Sequence, residues 1–366
     1  MTLVSARQLA STALSVAVLS ACSHGTAPSA TASPGLALQP GQVAVIEVGR
    51  NATQVALGAG KAFVGNSGDG TVSMIDIPSN RLDQTFRLGD TGVLRGRGCA
   101  PGTVHSAPDG SFAVRQCDLP SAVVFAAGSL WVTKDDEQAL LRMDPLTHRV
   151  IAKIPLGIAP FLMAAGGGSI WVTDYSDDSA ARVDIATNSL VKVFTGLAHG
   201  PSGIAYGAGA AWIANRRQGT LTRIDAASNR VAAVIPVASG PHALGVSGAL
   251  VGGSPLAVVA NDTAVYVKNE YDENVARIDP ATNQVVALIP VGPKEGRDGV
   301  DSMALDGPYL WVPGMRLQEV DTRTNTVVRS IPQDATTVTL GADGTLWVTE
   351  IGGRVVGVTP GAPPGS

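Results

Sequence analysis

Short polar segments that follow a recurring aromatic residue contain the side chains best suited to bind a ligand. They are Asn66, Lys134, Asp135, Asp174, Tyr175, Asn215, Arg216, Arg217, Asn269, Glu270, Arg316 and Glu350. Converging carboxylate and amide oxygens bind divalent cations such as Mg²⁺ or Ca²⁺, whereas arginines bind carboxylates and phosphates. The alternative is an ordinary solvated surface, because loops are polar whatever they do.

A candidate acid–base set consists of His242, Glu270 and Glu350, since proton transfer needs an acid and a base within reach of one substrate. A cation in that set would take further oxygens from Asn269, Asp174 and Asp301. The chain contains no Gly-x-Ser-x-Gly, His-Glu-x-x-His or Gly-Lys-Thr motif. The sequence therefore offers no serine-hydrolase elbow, no zinc-protease helix and no phosphate-binding loop of those types.

Seven copies of a repeat, each with one of the aromatic residues, must position these segments. In each copy an aliphatic or small residue precedes the aromatic residue, and Val or Ile follows it. The seven tripeptides are Ala62-Phe63-Val64, Leu130-Trp131-Val132, Ile170-Trp171-Val172, Ala211-Trp212-Ile213, Val265-Tyr266-Val267, Leu310-Trp311-Val312 and Leu346-Trp347-Val348. A Gly- or Asp-containing turn precedes most of them, which is typical of a hairpin between two strands.

A second turn follows a third strand in each of the first six copies. These turns run from Asp76 to Asn80, Asp144 to His148, Asp184 to Asn188, Asp225 to Asn229, Asp279 to Asn283 and Asp321 to Asn325. Aspartate can accept hydrogen bonds from backbone N–H groups further along such a turn, and asparagine tolerates the left-handed conformation near its end. A fourth strand comes next, and four strands in about 40 residues are typical of a propeller blade.

The sequence thus predicts an all-β protein, a seven-bladed β-propeller of four-stranded antiparallel blades spanning residues 42–360. The seventh copy, at 337–359, lacks the acidic turn and the fourth strand. Residues 42–48 form an otherwise unassigned strand, which we expect to complete the last blade and close the ring. The aromatic residues would then pack between neighbouring blades in the core.

The repeats resemble those of the bacterial YVTN/YncE-like propellers, as in VARIDPATNQVV at 275–286. The segment GTLWVTE at 344–350 is also similar to the streptogramin (virginiamycin B) lyase family. The lyase resemblance implies histidines at the starts of inner strands on adjacent blades, assisted by a glutamate. His242 matches one such position, but the neighbouring blades offer Ser202 and Ser302 instead of a second histidine. The incomplete set argues against lyase activity.

The functional face is expected where the loops are longest. In a propeller, the loops between second and third strands share one face with the connections between blades, and we call it the loop-rich face. Extra residues at 89–120, 239–255 and 292–300 fall between blades. An alternative alignment matches Gly240-Pro241-His242 with Gly200-Pro201-Ser202 and starts a blade strand there. Both alignments put His242 near the loop-rich face.

The N-terminal residues predict export and a lipid anchor. The apolar stretch at 9–21 is shorter than the roughly 20 residues that a membrane-spanning helix needs. Leu19-Ser20-Ala21-Cys22 resembles the bacterial lipobox, which implies a diacylated Cys22 at the mature N-terminus; an ordinary signal peptide is the alternative. Residues 23–41 predict a flexible tether, and 361–366 a disordered tail.

The other two cysteines and the charge limit the possible partners. Outside the cytoplasm, Cys99 and Cys117 are expected to form a disulfide, worth about 3 kcal/mol for a loop of that length. A net charge of −4 gives no general attraction to nucleic acid, although Arg95, Arg97, Arg216, Arg217 and Arg316 offer a local basic patch.

The function expected from these observations is binding. We predict a monomeric, lipid-anchored protein on the outer side of a bacterial membrane, where the loop-rich face binds an envelope protein, peptide or glycan. A cation-dependent lyase or lactonase is the alternative hypothesis, and nucleic-acid binding of the YncE-like kind is a second alternative.

Overall fold

A computed structural model describes residues 41–88, 104–106, 112–114, 122–239, 242–244, 249–251, 253–292, 302–350 and 352–361. The predicted signal peptide with Cys22, most of the tether, Cys99, Cys117 and Asp301 lie outside the described residues. Within the described part of the chain, no helix has the length and apolar character needed to cross a membrane.

Seven four-stranded antiparallel sheets form the blades of a propeller. The chain opens with β1 (Gln42–Glu47), which belongs to the last blade. Blade 1 contains β2 (Ala52–Gly58), β3 (Lys61–Asn66), β4 (Thr71–Asp76) and β5 (Arg81–Arg87). A short hairpin follows, made of β6 (Val104–Ser106) and β7 (Phe112–Val114). Blade 2 contains β8 (Val123–Ala126), β9 (Ser129–Lys134), β10 (Ala139–Met143) and β11 (Val150–Pro155).

Blades 3 and 4 follow without an inserted hairpin. Blade 3 contains β12 (Met163–Gly166), β13 (Ser169–Asp174), β14 (Ser179–Asp184) and β15 (Ser189–Phe194). Blade 4 contains β16 (Pro201–Gly207), β17 (Ala210–Asn215), β18 (Thr220–Asp225) and β19 (Arg230–Pro236). A single 3-10 turn, Asp135–Glu137, lies between β9 and β10 and is the one helical segment in the described residues.

A second hairpin precedes blade 5 and consists of β20 (His242–Leu244) and β21 (Ala249–Val251). Blade 5 contains β22 (Pro255–Ala260), β23 (Val265–Asn269), β24 (Asn274–Asp279) and β25 (Gln284–Pro290). Blade 6 contains β26 (Ala304–Asp306), β27 (Tyr309–Val312), β28 (Leu317–Asp321) and β29 (Thr326–Ile331). Blade 7 contains β30 (Thr337–Leu340), β31 (Leu346–Glu350) and β32 (Arg354–Val358).

The N-terminal strand closes the ring as predicted. β1 pairs antiparallel with β32 and becomes the outer strand of blade 7, in the order β1, β32, β31, β30. Further bonds join blade 7 to blade 1, because Thr337 Oγ1 donates to Thr53 O over 3.1 Å and Thr339 Oγ1 donates to Val55 O over 2.9 Å. The first and last described strands, β1 and β32, therefore belong to the same blade, and hydrogen bonds join that blade to blade 1.

The turns form for the local reasons that the sequence indicates. The turn aspartates accept backbone hydrogen bonds, as when Asp225 Oδ1 binds Ser228 N over 2.7 Å. The residues four positions later all have positive φ, at Asn80, His148, Asn188, Asn229, Asn283 and Asn325. These turns reverse the chain between the third and fourth strands, on the face opposite to the loop-rich face.

The core consists of the aromatic tripeptides and the aliphatic residues around them. All five tryptophans are at most 1 % exposed, and Phe63 and Tyr266 are also buried. The buried clusters extend from one blade into the next, so that Trp171 shares a cluster with residues of blades 2 and 4. Burial of large aromatic surfaces between blades stabilises the ring.

Four interblade arginines join successive blades opposite the loop-rich face. Arg182 Nη1 in blade 3 donates to Ala226 O over 2.5 Å and to Asn229 Oδ1 over 2.6 Å in the turn of blade 4. Its guanidinium also lies 4.8 Å from the ring centre of Trp171. The equivalent residues in blades 2, 4 and 5 are Arg142, Arg223 and Arg277. This contact was not predicted, although the Arg-x-Asp spacing in the repeats is visible in the sequence.

Candidate functional site

The insertions lie between blades, as predicted. Residues 89–120 follow β5, residues 239–254 follow β19, and residues 292–300 follow β25; Pro255, predicted as the last residue of the second insertion, begins β22. Because antiparallel strands alternate in direction, these connections emerge on the same face as the second-to-third-strand loops. The chain therefore leaves blades 1, 4 and 5 for the insertions on the loop-rich face, where the described polar segments selected from the sequence also lie.

The alternative alignment of His242 is wrong. Pro255 pairs with Asn269 as Pro201 pairs with Asn215, so Pro255 and not Pro241 begins the inner strand of blade 5. His242 instead begins β20 of the inserted two-stranded hairpin. The hairpin follows blade 4 on the loop-rich face, and His242 is not at the inner-strand position that the lyase resemblance implies.

In blades 3, 5 and 7, the last residue of the second strand contacts the linker that enters the blade. In blade 3, Asp174 Oδ2 accepts from Ala159 N over 2.9 Å. In blade 5, Asn269 Nδ2 donates to Val237 O over 2.7 Å, and in blade 7 Glu350 Oε1 accepts from Gln333 Nε2 over 2.6 Å. These predicted ligand-binding or catalytic side chains thus hold backbone connections together in this structure.

Asp174 is the most buried of the predicted carboxylates. Its side chain is inaccessible to solvent, and its Oδ1 accepts hydrogen bonds from Ser176 N and Asp177 N. Burial raises the pKa of Asp174 above its ordinary value, and the backbone hydrogen bonds oppose that shift. The carboxylate orders its own loop as well as the linker.

Blades 1, 4 and 5 share one loop geometry, and each ends its second strand with asparagine. The residue before the inner strand has positive φ in all three, at Asn51, Gly200 and Ser254. Its carbonyl accepts from the residue after the asparagine, namely Ser67 N, Arg216 N and Glu270 N. The same backbone contact therefore brings the loop and the linker together three times around the ring.

Arg216, Ser254 and Glu270 form a cluster between blades 4 and 5. Arg216 Nη2 lies 3.1 Å from Glu270 Oε2, and Arg216 Nε donates to Ser254 Oγ over 3.0 Å. Ser254 Oγ also lies 3.3 Å from Glu270 Oε2. The Glu270 side chain is 5 % exposed, so its charge is balanced inside the protein by the guanidinium.

A second cluster lies between blades 3 and 4 and contains Tyr175, His199 and Arg217. The Arg217 guanidinium lies 4.7 Å from the ring centre of Tyr175. The backbone N of Arg217 donates to His199 O over 3.2 Å, and His199 Nδ1 lies 2.5 Å from Asp178 Oδ2. The sequence indicates Tyr175 and Arg217 as separate polar residues, but their contact is not visible in it because they belong to different blades.

The remaining predicted binding residues have local partners. Lys134 Nζ lies 2.9 Å from Asp136 Oδ2 and 3.2 Å from Glu137 Oε1, in the turn that follows β9. Arg316 donates to Ser330 through Nε, at 2.8 Å to Oγ, and through Nη2, at 3.0 Å to the carbonyl oxygen. Asn66 and Asn215 donate to Thr and Ser side chains of the adjacent strand in their own blades.

Two of the three catalytic candidates lie in different blades, and the side chain of the third, His242, lies outside what the structure describes. Glu270 belongs to blade 5 and pairs with Arg216, whereas Glu350 belongs to blade 7 and lies 2.6 Å from Arg354 Nη2. Within the described ranges, no three His, Cys, Asp or Glu side chains lie close enough together to hold a metal ion.

A groove of about 510 Å³ opens at the outer edge of blades 4 and 5. Its lining consists of Pro236, Val237, Ala238, Ser239, Asp272, Asn274, Val285 and Leu288. None of the predicted site residues is among them. No local sequence pattern indicates this groove, because two outer strands and a linker form it jointly.

Comparison with known proteins identifies the fold. No protein-family model matches the chain, and no curated protein matches it by sequence. A streptogramin B lyase structure is similar with a TM-score of 0.61 and 14 % identity, over 86 % of this chain and 96 % of that one. Hydrazine synthase of Kuenenia stuttgartiensis is similar with a TM-score of 0.61 and 15 % identity, over 90 % of this chain and 98 % of that one. At such low identity these similarities describe the propeller fold alone.

Proposed function

We propose that this protein is a binding propeller of the bacterial cell envelope, a relative of the YVTN/YncE-like proteins anchored by a lipid at Cys22. Its loop-rich face would bind a peptide, glycan or protein partner. The single observation that supports this most is that the strands preceding all three interblade insertions, β5, β19 and β25, end on one face. The opposite face has short turns that follow the same Asp-to-Asn pattern in blade after blade.

Rigidity of the loop-rich face supports a binding role. The linkers and loops there are held by side-chain and backbone contacts such as Asp174 with Ala159 and Glu350 with Gln333. A surface that is ordered before binding loses less conformational entropy when a partner arrives. Tyr271 and Met315, at 38 % and 44 % exposed, supply accessible apolar side chains on this face.

The cation-dependent lyase or lactonase hypothesis has weaker support. Its carboxylates Glu270 and Glu350 both pair with arginines, so a metal would have to compete with a guanidinium for each of them. For this reason binding, and not acid–base chemistry, is the function we propose.

A photocrosslinking experiment in intact cells tests the proposed binding face. A photoreactive amino acid replaces Tyr271 or Met315 on the loop-rich face, and replaces Leu146 on the opposite face as the exposed control. We expect a discrete crosslinked product from the first two positions and none from Leu146. Products from Leu146 alone, or from no position, would contradict the proposed binding face.

A further inference from the structure

Arg217 on the loop-rich face stacks on an aromatic side chain. Its guanidinium lies over Tyr175 at 4.7 Å from the ring centre. The Tyr175 ring contacts Phe161 in turn, with 5.7 Å between centroids and a tilt of 50°. Stacking of this kind covers one face of the guanidinium and leaves its N–H edge available for hydrogen bonding.

The charge of Arg217 has no acidic partner among the described residues. Its neighbour Arg216 pairs with Glu270. In blade 1, Arg50 lies in the linker before the inner strand, as His199 does in blade 4, and pairs with Asp69 at 2.6 Å. Asp178, the carboxylate held next to the same linker, accepts instead from Gly200 N over 2.8 Å and lies beside His199 Nδ1. Arg217 is thus an oriented cation whose charge the described side chains do not neutralise.

Gly200 favours this arrangement for two reasons. Its φ is +73°, a conformation that residues with a side chain rarely adopt. A Cβ atom at this position would also lie 3.0 Å from Arg217 Cγ and 3.3 Å from Tyr175 Cε2. The glycine therefore lets the linker pass close beneath the stacked pair.

His199 lies next to Arg217, and its Nε2 becomes a second hydrogen-bond donor when the imidazole is protonated, because Nδ1–H already faces Asp178. The His199 side chain is 70 % exposed, and Nδ1 lies 2.5 Å from Asp178 Oδ2. A carboxylate bound at Nδ1 orients the imidazole and directs Nε2 away from it. The backbone contact between Arg217 N and His199 O keeps the two residues adjacent.

We infer that Arg217, assisted by His199, binds a carboxylate of an acidic peptide segment in the partner of the loop-rich face. This inference rests on the proposed function and names its ligand chemistry. A guanidinium edge matches the two oxygens of a carboxylate, and arginines recognise acidic peptide motifs in this way. Arg217 covers one face of Tyr175 and Phe161 packs against the same ring, so the ring is not an open platform for stacking a sugar.

Fluorescence anisotropy tests the inference on the full-length protein. The probe is a fluorescein-labelled peptide of alternating glycine and glutamate, and its counterpart has glutamine at every glutamate position. We expect the glutamate peptide to bind at low ionic strength and the glutamine peptide to bind at least tenfold more weakly. Arg217→Gln should weaken binding of the glutamate peptide by at least about tenfold, because the charge-assisted hydrogen bonds to the carboxylate are lost.

Two variants separate site-specific binding from general attraction. Arg230→Gln removes the same charge from an exposed residue at the start of β19, on the opposite side of blade 4, and should leave the affinity unchanged. Gly200→Ala should weaken binding with the arginine still present. An equal loss with Arg230→Gln, equal binding of both peptides, or no binding of the glutamate peptide would overturn the inference.

The photocrosslinking experiment tests the proposed function separately from the carboxylate inference. If the glutamate peptide fails to bind but Tyr271 and Met315 still crosslink to a partner in cells, the face binds a ligand of another chemistry and only the carboxylate inference is wrong. If crosslinking fails as well, the binding face itself is wrong.

Discussion

Arg182 illustrates how one side chain combines several weak contacts into a junction between blades. It donates to a carbonyl and an amide oxygen of blade 4, lies over Trp171, and donates from Nε to Ser169 Oγ over 2.9 Å. Each contact replaces a hydrogen bond with water, so its net contribution is modest. Removal of the guanidinium, however, leaves several partly buried acceptors without a donor.

Arg182→Met should therefore destabilise the protein by about 2–4 kcal/mol, since methionine retains the packing on Trp171 but none of the hydrogen bonds. Unfolding in guanidinium chloride, followed by tryptophan fluorescence, measures the free energy of unfolding of each variant. Arg230→Met is the control, because Arg230 is exposed and should change the unfolding free energy by no more than about 0.5 kcal/mol. Equal effects of the two variants would show that the interblade contact does not stabilise the ring.

The turn aspartates make stability depend on pH in the acid range. The Ser79 hydroxyl and then Lys61 hold the pKa of Asp76 at about 2, and Arg323 holds the pKa of Asp321 at about 2. Both values lie below the ordinary 3.8, so the folded state favours the ionised form. This stabilisation is complete above the unfolded-state value and is lost as pH falls through the folded-state value.

We expect the free energy of unfolding to decrease between about pH 4 and pH 2, and the decrease to be shallower in the Asp76→Asn, Asp321→Asn double variant. Urea unfolding at a series of pH values measures both slopes. Identical slopes in the two proteins would mean that other carboxylates account for the acid sensitivity.

At the scale of elements, the N-terminal strand is the component that closes the ring. β1 contributes the buried Ala44 and Ile46 to a cluster that also contains Trp347 of blade 7 and Val64 of blade 1. The strand therefore adds apolar contacts at the blade junction, besides the backbone pairing with β32. Without it, β32 would be an unpaired outer edge.

Ile46→Ala should cost about 2–4 kcal/mol, because it leaves a cavity at the junction of blades 7 and 1. Val43→Ala in the same strand is the matched control, and at 37 % exposed Val43 should contribute less than about 1 kcal/mol. Thermal unfolding by circular dichroism compares the two. A larger effect of Val43→Ala would indicate a different register for β1.

At the scale of the whole molecule, the propeller has one loop-rich face. By our proposal, a tether connects the propeller to a lipid at Cys22. Cys22→Ser should move the protein from the membrane fraction to the soluble fraction, because stable membrane attachment requires the acyl chains. Cys99→Ser should leave the protein in the membrane fraction. Immunoblots of fractionated cells distinguish these outcomes, and membrane retention of Cys22→Ser would contradict the anchor.

Much of the fold follows from the sequence alone, because its causes are local. Each blade contains its own aromatic residue, most of the aromatic residues are preceded by a hairpin turn, and the Asp-to-Asn turns form from contacts within a few residues, as Asp225 with Ser228 shows. Blade number and ring closure by β1 could therefore be predicted before any coordinates.

Only the tertiary structure determined which polar side chains form hydrogen bonds or ion pairs, and which residues are their partners. Arg182 and its acceptor Ala226 are 44 residues apart, and Asn269 and its acceptor Val237 are 32 residues apart. The start of blade 5 at Pro255, and the contact of Arg217 with Tyr175, also depend on neighbouring blades and linkers. Local preferences determine the conformation of a strand or turn, whereas the partner of a side chain depends on how separate blades pack against each other.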